Sequence, residues 1–186
     1  MFGNDLLAGE KVHLTAITKE DLPHFVEWFA SMEFRRFLGG IAMPFTLEDE
    51  TAWYESQRKA KDAYNFAIRT LAENRLIGSC GVMDIRWHGR NCMVGIAVGD
   101  KTCWGQGYGT DALRVLLRYA FMELNLHRVG LVVFSYNERA IKSYRKIGFQ
   151  PECVSRESTY RDGHYYDEIL MSILRHEWEA LYKSKT

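Results

Sequence analysis

Three glycines on alternate positions, Gly105, Gly107 and Gly109, stand within the run from Val98 to Asp111, between an apolar stretch and an amphipathic one. Glycine lets a backbone approach a ligand closely and enter turns closed to other residues. A helix that starts there presents amides with no intrahelical acceptor, together with the positive end of the helix dipole. The combination suits an anion, phosphate above all. It is not a P-loop, which needs Lys before the final Ser or Thr, because Gly109 leads directly into Thr110. Nor is it the dinucleotide fingerprint, since the spacing is GxGxG and lies in mid-chain. A loop whose glycines serve only tight packing is the alternative. The strand before and the long helix after favour the anion.

Other reactive side chains are scattered. Cys80, Cys92, Cys103 and Cys153 form no CxxC pair and have no His at zinc spacing, so they read as reduced thiols and no metal is expected. The 24 Lys and Arg balance 24 Asp and Glu, which argues against nucleic acid held by bulk electrostatics. Apolar residues at 47% and charged residues at 26% exclude wholesale disorder. No apolar run nears the roughly 20 residues of a membrane helix. The first nine residues carry Asp5 and do not resemble a secretory leader. The expectation is one soluble, cytoplasmic domain spanning residues 1–186.

Hydrophobic periodicity supplies the elements that must hold the glycine segment. Lys11 to Ala16 reads as a strand. Thr18 caps a helix with Asp21 at its third position, and Thr46 caps another, rich in Glu48, Asp49 and Glu50, that runs to about Lys61. Gly39-Gly40 and Pro44 break the chain between these helices. Tyr64–Leu71, Leu76–Ile85 and Cys92–Val98 read as successive strands, with Asn74 in the first turn. Ala112, Leu113, Leu116, Leu117, Ala120, Phe121 and Leu124 form one face of a long helix. Val129 to Tyr136 is a buried strand, and Asn137 opens a helix that ends at Gly148. Two more strands, Glu152–Tyr160 and Tyr165–Leu174, join through Asp162-Gly163, and a helix over His176–Leu181 precedes a charged end with Lys183 and Lys185. The fold class is α/β (α+β), a mixed, mostly antiparallel sheet flanked by helices. The parallel crossover is expected between Cys92 and Tyr136.

Two blocks carry a resemblance. Trp104-Gly105-Gln106-Gly107-Tyr108-Gly109 matches the Gly-x-Gly core of the acetyl-coenzyme A loop of the GNAT superfamily of N-acetyltransferases. Trp in place of the first Gln or Arg, followed by Tyr108, Thr110, Asp111 and Ala112, is similar to the Rim-type branch, named for ribosomal-protein N-terminal acetyltransferases. Asn137, Ala140, Tyr144, Lys146, Gly148 and Phe149 resemble the family's N-x-x-A-x-x-x-Y-x-K-x-G-F helix.

The resemblance implies acetyl transfer from acetyl-coenzyme A (acetyl-CoA) to a primary amine by direct attack in a ternary complex. Backbone amides of Gly105, Gln106, Gly107, Tyr108, Gly109 and Thr110 would hold the pyrophosphate, with Trp104 at the entrance. Ile96, Ala97 and Val98 would pair with the pantetheine arm, and a free amide near Val98 would meet the negative charge on the carbonyl oxygen. Asn137 would bond the pantetheine, or serve only as helix cap. Tyr144 would protonate the departing thiolate, or be a core aromatic. Relatives carry Glu where Met93 stands, so a base on that strand is missing. A water chain, or Glu33 as a weak acceptor-site candidate, would take its place. Met93 also leaves room for a non-catalytic acyl-CoA-binding or sensing module. The acceptor, a small-molecule or peptide amine, is not read from the sequence, and a homodimer through an exposed sheet edge is consistent with the family.

Overall fold

A computed structural model describes residues 6–39 and 43–183. Asp5, Gly40 and Lys185, named above, lie outside them, as does the side chain of Lys183. The strands are β1 (Val12–Thr15), β2 (Tyr64–Thr70), β3 (Leu76–Arg86), β4 (Asn91–Val98), β5 (Arg128–Phe134), β6 (Gln150–Arg161) and β7 (His164–Leu174). They form one sheet in the order β1-β2-β3-β4-β5-β7-β6. All neighbours are antiparallel except β4 and β5, the expected crossover. Asn74, Asp162 and Gly163 take positive φ at the hairpin turns, where Asn, Asp and Gly are tolerated.

The helices are α1 (Leu22–Ala30), α2 (Met32–Arg35), α3 (Leu47–Gln57), α4 (Tyr108–Arg118), α5 (Glu138–Ile147) and α6 (Arg175–Lys183). Thr18 with Asp21 and Thr46 with Asp49 form capping boxes at the two expected starts. The Asp21 carboxylate also accepts from Arg69 on β2 at 2.6 Å, so the entry to α1 is tied to the sheet. α3 stops short of Lys61 because its last turn tightens into three-residue bonds, Lys59 N to Ser56 O and Ala60 N to Gln57 O. α2 was not expected. It is a single turn started by Ser31 Oγ, too short to show a period.

The core lies between α4 and the sheet. Ala112, Leu113, Leu116, Leu117, Ala120 and Phe121 are fully buried, against Ile68, Ile77, Val82, Val129, Met171 and Ile173. Each large apolar side chain so buried stabilises by about 1.5–3 kcal/mol. Trp178 of α6 closes the far end, 5.2 Å from Phe121 between ring centres.

Two features aim this scaffold at the glycine segment. β4 and β5 pair only at Asn91↔Arg128, Cys92↔Val129 and Met93↔Gly130. Beyond that point Val94 and Ile96 to Val98 stay paired with β3, and Leu131 to Phe134 stay paired with β7. The two strands therefore part like a fork whose arms are each fixed from outside. At the closed end a side chain on Gly130 would stand 2.9 Å from Met93 Sδ, so any larger residue there would have to push the Met93 side chain aside.

The second feature is Asp111, in the first turn of α4 and 5% exposed. Its carboxylate accepts from the backbone amides of Glu10, Lys11 and Val12 at 3.2, 2.8 and 3.1 Å. An acid in a helix's first turn would ordinarily compete for the dipole. Here it is turned away and clamps β1 onto α4. Asp111→Ala strands the buried Val12 amide, while those of the exposed Glu10 and Lys11 can turn to water, and a buried unpaired donor costs about 1–3 kcal/mol. Urea unfolding should show a loss of about 2–4 kcal/mol, whereas a loss under about 1 kcal/mol would mean the clamp is dispensable.

Candidate active site

Two clefts open from opposite sides into the fork. One, of about 340 Å³, runs from the glycine segment between β4 and α5. The other, of about 390 Å³, runs from the β2–β3 side between the arms. Phe37, Leu38, Ile96, Ala97, Asn137 and Tyr144 line both.

The first cleft has the features an acyl-CoA needs. Gly105 and Gly107 hold φ of +74° and +87°, and a side chain on Gly105 would meet nothing within 4 Å. The segment is thus open backbone in a left-handed shape. Gly107 is the N-cap of α4 and has no side-chain bond there, so the first-turn amides of Tyr108, Gly109 and Thr110 point at whatever enters. Positive side chains stand around it. Lys11 Nζ donates to Gln106 O at 2.9 Å, and Arg139 lies 4.5 Å over the Trp104 ring. Lys146 lines the same wall.

Backbone polarity along β4 follows from one bond. Trp104 Nε1 donates to Val98 O at 2.7 Å, so that carbonyl faces away from β3. Gly99 N, one residue on, donates to Ile77 O at 2.9 Å, back toward β3. Backbone groups two residues apart face the same edge, so Ile96 directs its amide and carbonyl into the fork. An extended amide-bearing chain laid beside Ile96 would find a donor and an acceptor there. The pantetheine arm of CoA has that form.

Of the residues expected at the cofactor, Ile96, Ala97, Val98, Trp104, Gly105, Gly107, Gly109, Thr110 and Asn137 line this cleft. Gln106 and Tyr108 do not line it. The Gln106 side chain donates to Thr102 O, and the Tyr108 ring carries the Lys11 ammonium at 5.4 Å. Asn137 takes the helix-cap role expected of it and also lines this cleft. Its Oδ1 accepts from Ala140 N at 3.3 Å, which caps α5, while its amide NH₂ remains for the cleft.

Tyr144 sits where the two clefts meet. It packs against the core, 6.0 Å from Phe149 between ring centres, and burial pushes its phenol up to about 12. Among the described residues its hydroxyl has no hydrogen-bond partner. It is a neutral O–H donor over the whole physiological range. Ser143, one residue earlier, shares a 2.8 Å bond with Thr110 and joins α5 to α4.

Glu33 lines neither cleft and pairs with Lys101 at 2.6 Å on the surface. Glu48 and Asp49 are exposed at the start of α3, where Asp49 serves the cap. Met93 stands at the closed end of the fork and offers no proton acceptor. Cys80 lines the second cleft, but burial pushes its thiol far up, so it stays protonated. Among the described residues no group of three or more His, Cys, Asp or Glu could hold a metal ion, and no helix is long and apolar enough to cross a membrane.

Several site residues carried no role from the sequence. Arg139 and Ser143 share the spacing of one helix face with Lys146, a motif residue with no role attached to it. Leu38 comes from the irregular chain after α2, where no period exists, next to Phe37, an aromatic that the sequence offers as pocket-lining or core. Their backbone is held down by Tyr136 Oη donating to Arg36 O and by Arg161 donating to Leu38 O at 3.1 Å. Glu168, on β7, lines the second cleft and accepts from Thr159 Oγ1 at 2.5 Å.

The profile of the acetyltransferase (GNAT) domain matches residues 11–150. The SPbeta prophage-derived uncharacterized N-acetyltransferase YokL of Bacillus subtilis is 28% identical over 171 residues, covering 92% of this chain and 94% of that protein. The putative ribosomal N-acetyltransferase YdaF of Bacillus subtilis is 30% identical over 131 residues, 70% of this chain and 71% of that one. The spermidine N(1)-acetyltransferase of Escherichia coli K12 is 29% identical over 139 residues, 70% and 74% of the two chains. In fold, the chain matches the spermidine N-acetyltransferase of Vibrio cholerae, solved with CoA and spermine, at a TM-score of 0.83 and 22% identity over 90% of this chain and 97% of that one. The chain belongs to the GNAT acetyltransferase family and is an acyl-CoA-dependent N-acetyltransferase, moving an acetyl group from acetyl-CoA to an amine.

Proposed function

We propose that the acetyl group passes directly to a primary amine while both substrates occupy the fork, in the manner of the Rim-type branch. The observation that carries this is the shared wall of the two clefts, with Tyr144 and its free hydroxyl at their junction. The protonated Cys80 thiol supports the direct route, since no thiolate stands ready in the acceptor cleft to take the acetyl group first. The Rim-type reading draws on Trp104, Tyr108, Thr110, Asp111 and Ala112, and on the likeness to the putative ribosomal enzyme. Relatives named for spermidine share nearly the same identity, so the acceptor class is a primary amine, with polyamine ends and peptide N-termini its two candidates.

In this reading acetyl-CoA supplies an activated thioester. The amides of Gly105 to Thr110 bind its pyrophosphate, and Lys11, Arg139 and Lys146 add local positive charge. The Ile96 backbone aligns the pantetheine, and its amide, with that of Val98, faces the carbonyl oxygen as charge develops. Asn137 keeps α5 in place and bonds the arm. Tyr144 gives its proton to the departing sulfur. The scattered, unpaired cysteines fit a reducing cytoplasm.

A free-thiol assay with acetyl-CoA and a panel of spermidine, peptide amides and amino acids tests this. Turnover of at least one primary amine is expected. Binding of CoA with no acceptor turned over would contradict it. Tyr144→Phe should lower kcat on the order of 10²-fold, with the KM for acetyl-CoA within about twofold. Because Tyr144 keeps its proton until about 12, kcat should not fall between about pH 8 and 10, and a falling limb there would remove Tyr144 from the acid role. Gly107→Ala forces a side chain to φ +87°, which costs about 1–2 kcal/mol. It should raise the Kd for CoA roughly tenfold by calorimetry, because the amides lose their aim.

A further inference from the structure

Acetyl transfer to an amine needs a proton acceptor, since an ammonium has no lone pair with which to attack. The β4 arm supplies none, Met93 being inert. The carboxylates that hold the fold are already engaged: Asp21 with Arg69 at 2.6 Å, Asp111 with three amides, and Glu152 and Asp100 with Arg128 and Arg75. Glu168 differs from them. It is half-buried on β7, directly opposite Phe134 of β5, so both side chains stand on one face beside the open end of the fork. It is the only carboxylate among the described residues that lines the acceptor cleft. Thr159 Oγ1 donates to its Oε1 and fixes the group. Among the described residues no Lys, Arg or His lies within ion-pair distance of it. A half-buried anion without a cation of its own, facing a cavity, is a seat for a cationic ligand.

We propose that Glu168 receives the acceptor as an ammonium ion and takes its proton, so that the preferred substrate is a cationic primary amine with no carboxylate beside the reacting nitrogen. This rests on the direct-transfer reading above. The Glu168 carboxylate accepts one proton from R–NH₃⁺, and the freed nitrogen lone pair forms the N–C bond to the acetyl carbon. The C–S bond breaks, and its electron pair leaves on sulfur, which takes the Tyr144 proton. The second nitrogen proton returns to the Tyr144 oxygen, and Glu168 releases its proton to water. The products are the acetamide, CoA thiol and one proton. Asn65 and Ser79, on the opposite wall, are neutral, Glu168 is the one charged side chain among the described lining residues, and the Arg161 guanidinium donates to the carbonyl of lining Leu38 at 3.1 Å.

The test is the pH profile of kcat/KM for Glu168→Gln on the best primary amine found for the wild type. At pH 7 the variant should lose roughly 10²-fold, and the deficit should shrink at least about tenfold by pH 10, where the amine sheds its proton unaided. The CoA-induced thermal shift should be unchanged. A variant with the wild-type profile, or a loss of equal size at every pH, overturns the proposal. A second measurement needs no variant: the wild type should prefer amines over the amino acids that differ from them only by an α-carboxylate, by about tenfold or more in kcat/KM. Equal or reversed preference overturns it. A wild type that binds CoA and acetylates no amine defeats the direct-transfer reading itself. Active wild type with an indifferent Glu168→Gln defeats only this one.

Discussion

Two parallel strands that touch for three residues and then part leave unpaired amides and carbonyls along both inner edges. Such a gap in the middle of a sheet survives only if other contacts fix the arms. Here β3 holds one arm and β7 the other through their full ladders. The closed end is set by Gly130, which leaves room for Met93. The open end is propped by Trp104, which takes the Val98 carbonyl, and by α5, whose Tyr144 and Asn137 face the gap. The unsatisfied edge of β4 is thus left open to an extended chain, in place of the strand that parted from it.

The same economy of charge governs the anion site. The chain is neutral overall, with 24 basic and 24 acidic side chains. In the proposed binding mode a highly charged cofactor meets backbone amides and a few local cations, Lys11, Arg139 and Lys146, so no basic excess is needed. Asp111, the acid nearest those amides in sequence, is spent on the amides of residues 10–12. On the acceptor side the sign reverses, and Glu168 is the charge that faces the cleft. In the proposed reading, two ligands of opposite charge approach one fork from opposite faces.

Much of this was legible in the sequence, for physical reasons that differ by element. The long helix over Tyr108–Arg118 and the strands around it carry strong periods, because one face of each is buried. Turns at Asn74 and Asp162-Gly163 were legible because few residues tolerate their backbone angles. The glycine segment and the Asn137-to-Phe149 helix were legible through resemblance, and their residues do converge on one cleft. What stayed hidden depends on contacts between segments far apart. Leu38 follows a one-turn helix with no period, and its backbone is held at the site by Arg161. Glu33 looked available as an isolated acid, yet Lys101, 68 residues away, claims it. Glu168 sat in a strand beside Asp167, and its place in a cleft follows from the β5–β7 register, which local sequence does not encode.

In the proposed binding mode the open edge of β4 and the glycine segment together hold the cofactor through backbone amides. Hydrogen–deuterium exchange with and without CoA reads those amides directly. Slowed exchange over residues 96–98 and 105–110 on adding CoA is the predicted result. Unchanged exchange in both segments, with protection appearing elsewhere, would contradict the account.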